Sequence, residues 1–251
     1  GVDVGQVKSI EAIPGGGVRV HVSDGGAALA LEGSHLLVAT GRKANIRDLN
    51  LDAAGIKHDN RAIMVNGGLL TSNPSVFAIG DVTGGLQFTH VANAHAGIVI
   101  RRALFRQPKN FNPDLVPWVT YTSPELANVG LSEETARKRN IAINVYRWPY
   151  HENDRAQAER ATDGFIKVIT DKKDKILGAA IVGESAGELI QMWSFAIARG
   201  HGIAAMTDWI SPYPTLSEIN KRVSFGYYAM RGQGFAGSIA RKAIGWLAKL
   251  G

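Results

Sequence analysis

The chain has 251 residues, 45% hydrophobic and 20% charged, with a formal net charge of +6 and no Cys. That length fits one large domain or two of ordinary size, and the composition is that of a globular chain able to bury a core without disulfides. The lack of Cys excludes disulfides, thiolate metal sites and a cysteine nucleophile within it, and the scattered basic residues form no stripe interleaved with aromatics, so no nucleic-acid partner is expected.

No run is long and apolar enough to span a bilayer, and the start carries no secretory signal. A cytoplasmic location is therefore the expectation. The chain opens "GVDVGQVKSI", without Met and already in strand-like sequence, as a cut end would. Val7 to Ile13 and Val18 to Ser23 predict a hairpin around "PGGG", and Ala28 to Glu32 a third strand after "DGG". "HLLVATG" runs apolar without alternation, as a strand covered on both faces does. A winding segment then leads to a short strand, Phe77 to Ile79, of the kind found inside a parallel sheet. No βαβ unit nearby supplies its neighbours, so they are expected from elsewhere. Thr89 to Leu104 reads as a helix with Val91, Ala94, Ile98 and Val99 near one face and Arg101 and Arg102 in the last turns.

"QPKNFNPDLVP", with three prolines, is the best domain boundary. Beyond it, "WVTYT" predicts a strand, "LSEETARKRN" a short helix, and "INVYRWPY", "FIKVIT" and "ILGAAIVG" three further strands. "DKKDK" turns between the last two. A long amphipathic helix, Ala186 to Arg199, stops at Gly200, and another helix follows "SPYPT". The fold class expected is α/β followed by α+β, the second part an antiparallel sheet with helices packed on it.

The order of "LLVATGRKAN", "NPSVFAIGDV", "GFIKVIT…ILGAAIVG…AGELI" and "PYPTLSE" resembles the C-terminal part of the FAD-dependent pyridine nucleotide-disulfide oxidoreductases, the group of dihydrolipoamide dehydrogenase, glutathione reductase and mercuric reductase. "QFTHVANAHAG" is most similar to the mercuric-reductase-like branch. The resemblance implies remnants of Rossmann-like FAD- and NAD(P)H-binding domains before an antiparallel interface domain. Residues 1–39 would end the NAD(P)H domain, 40–111 the FAD domain, 112–230 would form the interface domain that pairs two subunits, and 231–251 a tail. The N-terminal FAD and NAD(P)H segments, with their Gly-rich fingerprints and redox Cys pair, would be supplied outside this sequence. The chain alone is accordingly expected to be inactive. The alternative reading is a dimerisation module with no catalysis of its own.

Within that resemblance, Gly41, Arg42, Gly80, Asp81, Phe88, Thr89 and His90 are the expected cofactor contacts. Gly80 permits close backbone approach. Asp81 accepts hydrogen bonds at neutral pH and would grip the ribityl hydroxyls of FAD. The start of the helix at Thr89 offers free N–H groups to the electron-rich edge of the flavin, contacted through backbone atoms of Phe88, Thr89 and His90. Disulfide-reducing members carry His-Pro-Thr followed by a Glu that orients the His. Here Tyr213 stands in the His position and Glu218 remains. Imidazole exchanges protons near ~6.5 and a phenol near ~10. A neighbouring carboxylate disfavours phenolate further. Reduction of a disulfide by the usual route is therefore not expected, and the acceptor is unassigned. Packing of Tyr213 at the subunit interface is the other reading.

Two features point elsewhere. "GQGFAG", Gly232 to Gly237, matches a dinucleotide fingerprint but lacks the strand before it, and reads as a joint. In the tail, Ile239, Ala243, Trp246, Leu247 and Leu250 share a helical face opposite Arg241, Lys242 and Lys249. Such a helix packs on its own dimer or touches an anionic membrane surface. No metal site is expected: His90 and His95 do not share a helix face, and no HExxH occurs.

Overall fold

A computed structural model of the chain describes residues 5–24 and 26–233. The Gly-rich joint after Gln233 and the amphipathic tail lie outside the described residues. The first element is a three-stranded antiparallel sheet of β1 (Gln6–Ala12), β2 (Val18–Asp24) and β3 (Ala27–Gly33), in that order. The register pairs Val7 with Val22 and Val22 with Leu29, then Ile10 with Val20 and Val20 with Leu31. The apolar side chains therefore share one face, because strand side chains alternate. Val7, Ile10, Leu29 and Leu31 of that face stay exposed. On the other face Arg19 bridges Glu11 and Glu32.

The second sheet holds most of the buried core. Its order is β4 (Trp118–Thr120), β5 (Glu125–Gly130), β8 (Ile176–Gly183), β7 (Phe165–Asp171) and β6 (Ile143–Pro149), with all neighbours antiparallel. Ile166, Val168 and Ile181 project from the central strands into a core with Trp193, Ile203, Ile219 and Val223. Helices α4 (Ala186–Leu189), α5 (Gln191–Ala198) and α6 (Glu218–Gln233) bring the other side of that core. The helix expected over Ala186 to Arg199 is thus two pieces, meeting at Ile190. Helix α2 (Glu133–Lys138) has local reasons to exist. Ser132 accepts the Thr135 N–H at its start, acids fill the first turn and Arg137 and Lys138 the last.

Two elements were not legible. β5 reads "ELANVG", and its buried positions are Ala127 and Val129. Small and amide-bearing residues hide the alternation that a strand normally shows. Helix α3 (Asp154–Glu159) is a single short stretch, capped by Asn153, whose Oδ1 accepts the Ala156 N–H at 3.0 Å.

Two expected strands do not form. "HLLVATG" runs as irregular chain, with Leu37 88% and Val38 68% exposed. Phe77 to Ile79 makes one isolated antiparallel bridge, Phe77 to Leu70, and Ile79 is exposed. No parallel pair occurs among the described residues. The physical reason is shared: an apolar run becomes a strand only when neighbours take up its backbone N–H and C=O groups. A small cluster of Leu51, Ile56, Ile63 and Ala78 packs the winding segment instead. Helix α1 (Thr89–Ala103) forms as expected, except that Val91, His95 and Ile98 make its buried stripe while Ala94 is exposed.

Candidate functional site

The Asp81 loop is a short 3-10 turn over Gly80–Thr83, and every end of it is tied down. Gly80 sits at φ +69°, where a Cβ would be strained and would meet the Ala92 Cβ at 3.2 Å. Its N–H donates to Nδ1 of His95 at 3.1 Å, and its carbonyl accepts the Thr83 hydroxyl at 2.8 Å. The turn closes on Gly84, which is left-handed and donates its N–H to the Asp81 carbonyl. Glycine is thus required at both ends, once for docking on α1 and once for closure.

Asp81 projects from this turn half exposed, its carboxylate 3.9 Å from the Arg42 guanidinium. Arg42 also donates to the Gln87 carbonyl at 3.1 Å, just ahead of Phe88. Gly41 lies at φ +112° with open space where a Cβ would be. The structure therefore brings the Gly41–Arg42 loop, the Asp81 turn and the start of α1 to one place. Phe88 begins the helix without any side-chain bond to its first N–H groups, leaving donors of Thr89 and His90 free to meet an electron-rich partner. The side chain of His90 is engaged elsewhere. It stacks on Phe88 at 5.1 Å, and its Nε2 donates to the Pro117 carbonyl at 2.8 Å.

These residues fit one half of a cradle for a polyhydroxylated, electron-rich cofactor such as FAD. A carboxylate stands ready to accept from hydroxyls, and a helix start offers N–H groups. Leu37, Val38, Ile79 and Leu86, which flank these loops in the chain, remain exposed.

Tyr213 and Glu218 occupy the second half of the fold, and the pairing expected between them is not made. The Tyr213 hydroxyl donates to Oδ2 of Asp154 at 3.0 Å. Glu218 instead pairs with Arg222 one turn along α6, at 2.8 Å. The cause lies in Asn153. Its Oδ1 caps α3 while its Nδ2 donates to the Thr215 carbonyl at 3.1 Å, which draws the Tyr-Pro-Thr segment against the α3 start. Tyr213 is 70% exposed and its phenol is held above the ordinary range, first by the hydrogen bond to Asp154 and then by that carboxylate's charge. Glu218 is the last contributor. The expected direction thus stands, but its main source is a different carboxylate. Nothing in the sequence near Asp154 marked it, because the contact crosses 59 positions. A measurement separates the two acids. In Asp154→Asn the Tyr213 titration, followed by NMR of 13C-labelled tyrosine, moves to lower pH. Glu218→Gln moves it less. An equal response to both substitutions would contradict this geometry.

His95 was also missed as a site residue. It sits four after Val91 and three before Ile98, so helical spacing alone would have assigned it to the buried stripe. Among the described residues no group of three His, Asp or Glu side chains could hold a metal ion.

Comparison with known proteins bears on both halves. Residues 1–96 match the family described as pyridine nucleotide-disulphide oxidoreductase, and residues 116–223 its dimerisation domain. The chain is 39% identical over 202 residues to a mercuric reductase of Lysinibacillus sphaericus, covering 80% of this chain and 37% of that protein. It is 35% identical over 207 residues to dihydrolipoyl dehydrogenase 3 of Pseudomonas putida, covering 82% and 44%. It spans less than half the length of these relatives. Among solved structures, LpdA of Mycobacterium tuberculosis superposes with a TM-score of 0.82 at 25% identity, covering 88% of this chain and 48% of that one. The HOCl-induced flavoprotein disulfide reductase RclA of Escherichia coli gives 0.74 at 30% identity, covering 88% and 50%.

Proposed function

Because this chain belongs to the pyridine nucleotide-disulphide oxidoreductase family, with the two matched segments falling on its two sheets, we propose that it is the C-terminal portion of a flavoprotein that passes electrons from NAD(P)H through FAD to an acceptor. The family uses FAD and NAD(P)H. The observation that carries the reading is the convergence of Asp81, Arg42 and the uncapped start of α1.

Hydride acceptance and onward electron transfer are the chemistry that a flavin supplies when bound. The residues of this chain bind and orient. Asp81 would accept hydrogen bonds from ribityl hydroxyls, with Arg42 beside it limiting the carboxylate's freedom. The N–H groups of Thr89 and His90, at the positive end of α1, would hold an electron-rich edge of the flavin. Gly41 leaves the backbone there unshielded, so that a cofactor can lie against it. Tyr213, held by Asp154, is the group offered to the acceptor across a homodimer formed by the five-stranded sheet domain. A phenol with raised pKa donates a hydrogen bond but does not relay protons at neutral pH, so the acceptor is not a disulfide reduced by the usual His route. The isolated chain is inactive on this reading, since the remaining half of the cradle lies in other segments.

A second reading has its own observation. Phe195 (65% exposed) and Ile210 (90% exposed) leave apolar surface on the domain matched to the dimerisation family. On that reading this chain acts only as a pairing module.

The test is flavin affinity in the full-length protein. Asp81→Ala should weaken FAD binding at least about tenfold, since a hydrogen bond to a charged group contributes ~1.5–3 kcal/mol. Unchanged affinity would overturn the flavin reading. For the isolated chain, sedimentation and absorbance give a separate answer: a colourless, stable dimer favours the pairing module.

A further inference from the structure

We propose that His95 is a positioning residue for the cofactor loop: its imidazole, buried on the inner face of α1, accepts the Gly80 N–H and thereby sets the direction in which Asp81 is presented. The inference rests on the flavin reading for its purpose, but its geometry stands within this chain.

The turn that carries the exposed Asp81 carboxylate is held from outside at two points. The Ile63 N–H donates to the Val82 carbonyl at 2.8 Å, and the leading end of the turn is fixed through Gly80. That residue is buried, left-handed and pressed on Ala92. Its carbonyl is taken by Thr83, and its N–H has His95 as acceptor. Ala92 and His95 are three apart on α1 and so present one face to the turn. The contact with Ala92 sets how close the turn lies, and the bond to His95 sets its rotation. A buried N–H without an acceptor is costly enough that the turn would move to hydrate it.

The imidazole itself is locked. It is 3% exposed, and Phe111 stands perpendicular to it at 4.3 Å between ring centres. Facing a donor, Nδ1 must carry the lone pair, so the proton of the neutral ring is on Nε2. Nε2 is buried with no partner among the described residues. Burial lowers the His95 pKa below its ordinary value, and desolvation is the whole cause. The charged or titratable groups on the elements packed here are Asp81 on the turn, His90, Arg101 and Arg102 on α1 and Lys109 before Phe111. None contributes to the shift. Protonation would place an Nδ1–H against the Gly80 N–H, and one of the two groups would have to leave. Because the folded pKa lies below the unfolded one, the bond is fully present above about pH 6.5. It is lost as pH falls through the folded value. A cofactor-gripping turn would then loosen on acidification.

The experiment is amide hydrogen exchange and His 15N NMR on the 251-residue chain. At pH 7.5 wild-type His95 should show the Nε2–H tautomer. Gly80 should be protected, and that protection should fall in step with His95 protonation, relative to the amides of Ile166 and Val168 in β7. His95→Gln and His95→Leu should speed Gly80 exchange at least about tenfold. His95→Asn, whose Oδ1 lies where Nδ1 does, should retain protection. An Nδ1–H tautomer in the wild type, or Gly80 exchange unchanged in both the Gln and Leu variants, overturns the proposal. The tautomer needs no variant to fold. Flavin titration of the full-length protein separates the two readings. Weaker FAD binding in both Asp81→Ala and His95→Leu supports positioning. A loss in Asp81→Ala alone overturns it. If neither variant affects FAD while the exchange results hold, the flavin assignment fails and the control of the turn by His95 stands.

Discussion

Replacing Gly183 with alanine should lower the melting temperature of this chain by about 6–12 °C, the shift expected of a ~3 kcal/mol loss in a chain of this size. Gly183 ends β8, directly over the ring of Tyr150. A Cβ there would lie 2.6 Å from Tyr150 Cε1 and closer still to Cζ and Cε2. The ring cannot retreat at little cost. It is fully buried, and its hydroxyl donates to the Glu184 carbonyl at 2.9 Å, one residue beyond the substitution. Burial also raises the Tyr150 pKa, so the hydroxyl remains a donor throughout the neutral range. The added methyl must therefore displace either the aromatic ring or the end of the central strand. Gly97→Ala is the control. Its Cβ meets nothing within 4 Å, and it lies inside α1, where alanine gains ~1 kcal/mol of helix propensity. Thermal unfolding of both variants checks the contrast. If Gly183→Ala melts with the wild type, the packing described for this corner is wrong.

Asn220→Ala should cost a similar ~3 kcal/mol, for a different reason. Asn220 and Trp193 are both fully buried. The indole N–H donates to Asn220 Oδ1 at 2.7 Å, and Asn220 Nδ2 donates to the Leu189 carbonyl at 3.2 Å. One amide thus satisfies a donor on α5 and an acceptor at the end of α4, and it joins both to α6. Truncation leaves an indole N–H and a carbonyl unpaired in the core, besides a small cavity. Unpaired buried groups cost ~1–3 kcal/mol each, which is more than the missing volume of one amide. The double-mutant cycle with Trp193→Phe tests the attribution. With the indole donor absent, Asn220→Ala should cost clearly less than in the wild type. Strict additivity would show that the two side chains do not act together.

Both expectations concern contacts that local pattern cannot reveal, and the candidate site divides in the same way. Gly80, Asp81 and the start of the helix at Thr89 are assigned through the family resemblance, whose motifs are local in residue type and order. The central strands β7 and β8 are legible because "FIKVIT" and "ILGAAIVG" are apolar runs on either side of a polar turn. Asp154 was not legible as the partner of Tyr213. The nearby Glu218 was the obvious acid, but Arg222 claims it along the helix. Asn153 meanwhile brings a more distant carboxylate to the phenol. In the sequence His95 is weighed only as a metal ligand, and although helical spacing implies its burial, its bond to Gly80 depends on how the turn packs on α1.

The amino-acid sequence by itself determined the family, the central strands β7 and β8 and the glycine-acid pair on which the Gly80–Thr83 turn is built, since these depend on residue type and short-range spacing. Tertiary structure alone decided which carboxylate holds Tyr213, which side chain anchors Gly80 and whether an apolar run becomes a strand. Hydrogen-bond partners are chosen by what packing brings within reach. A run such as His35 to Gly41 carries the propensity for a strand, but only a neighbouring backbone can complete one.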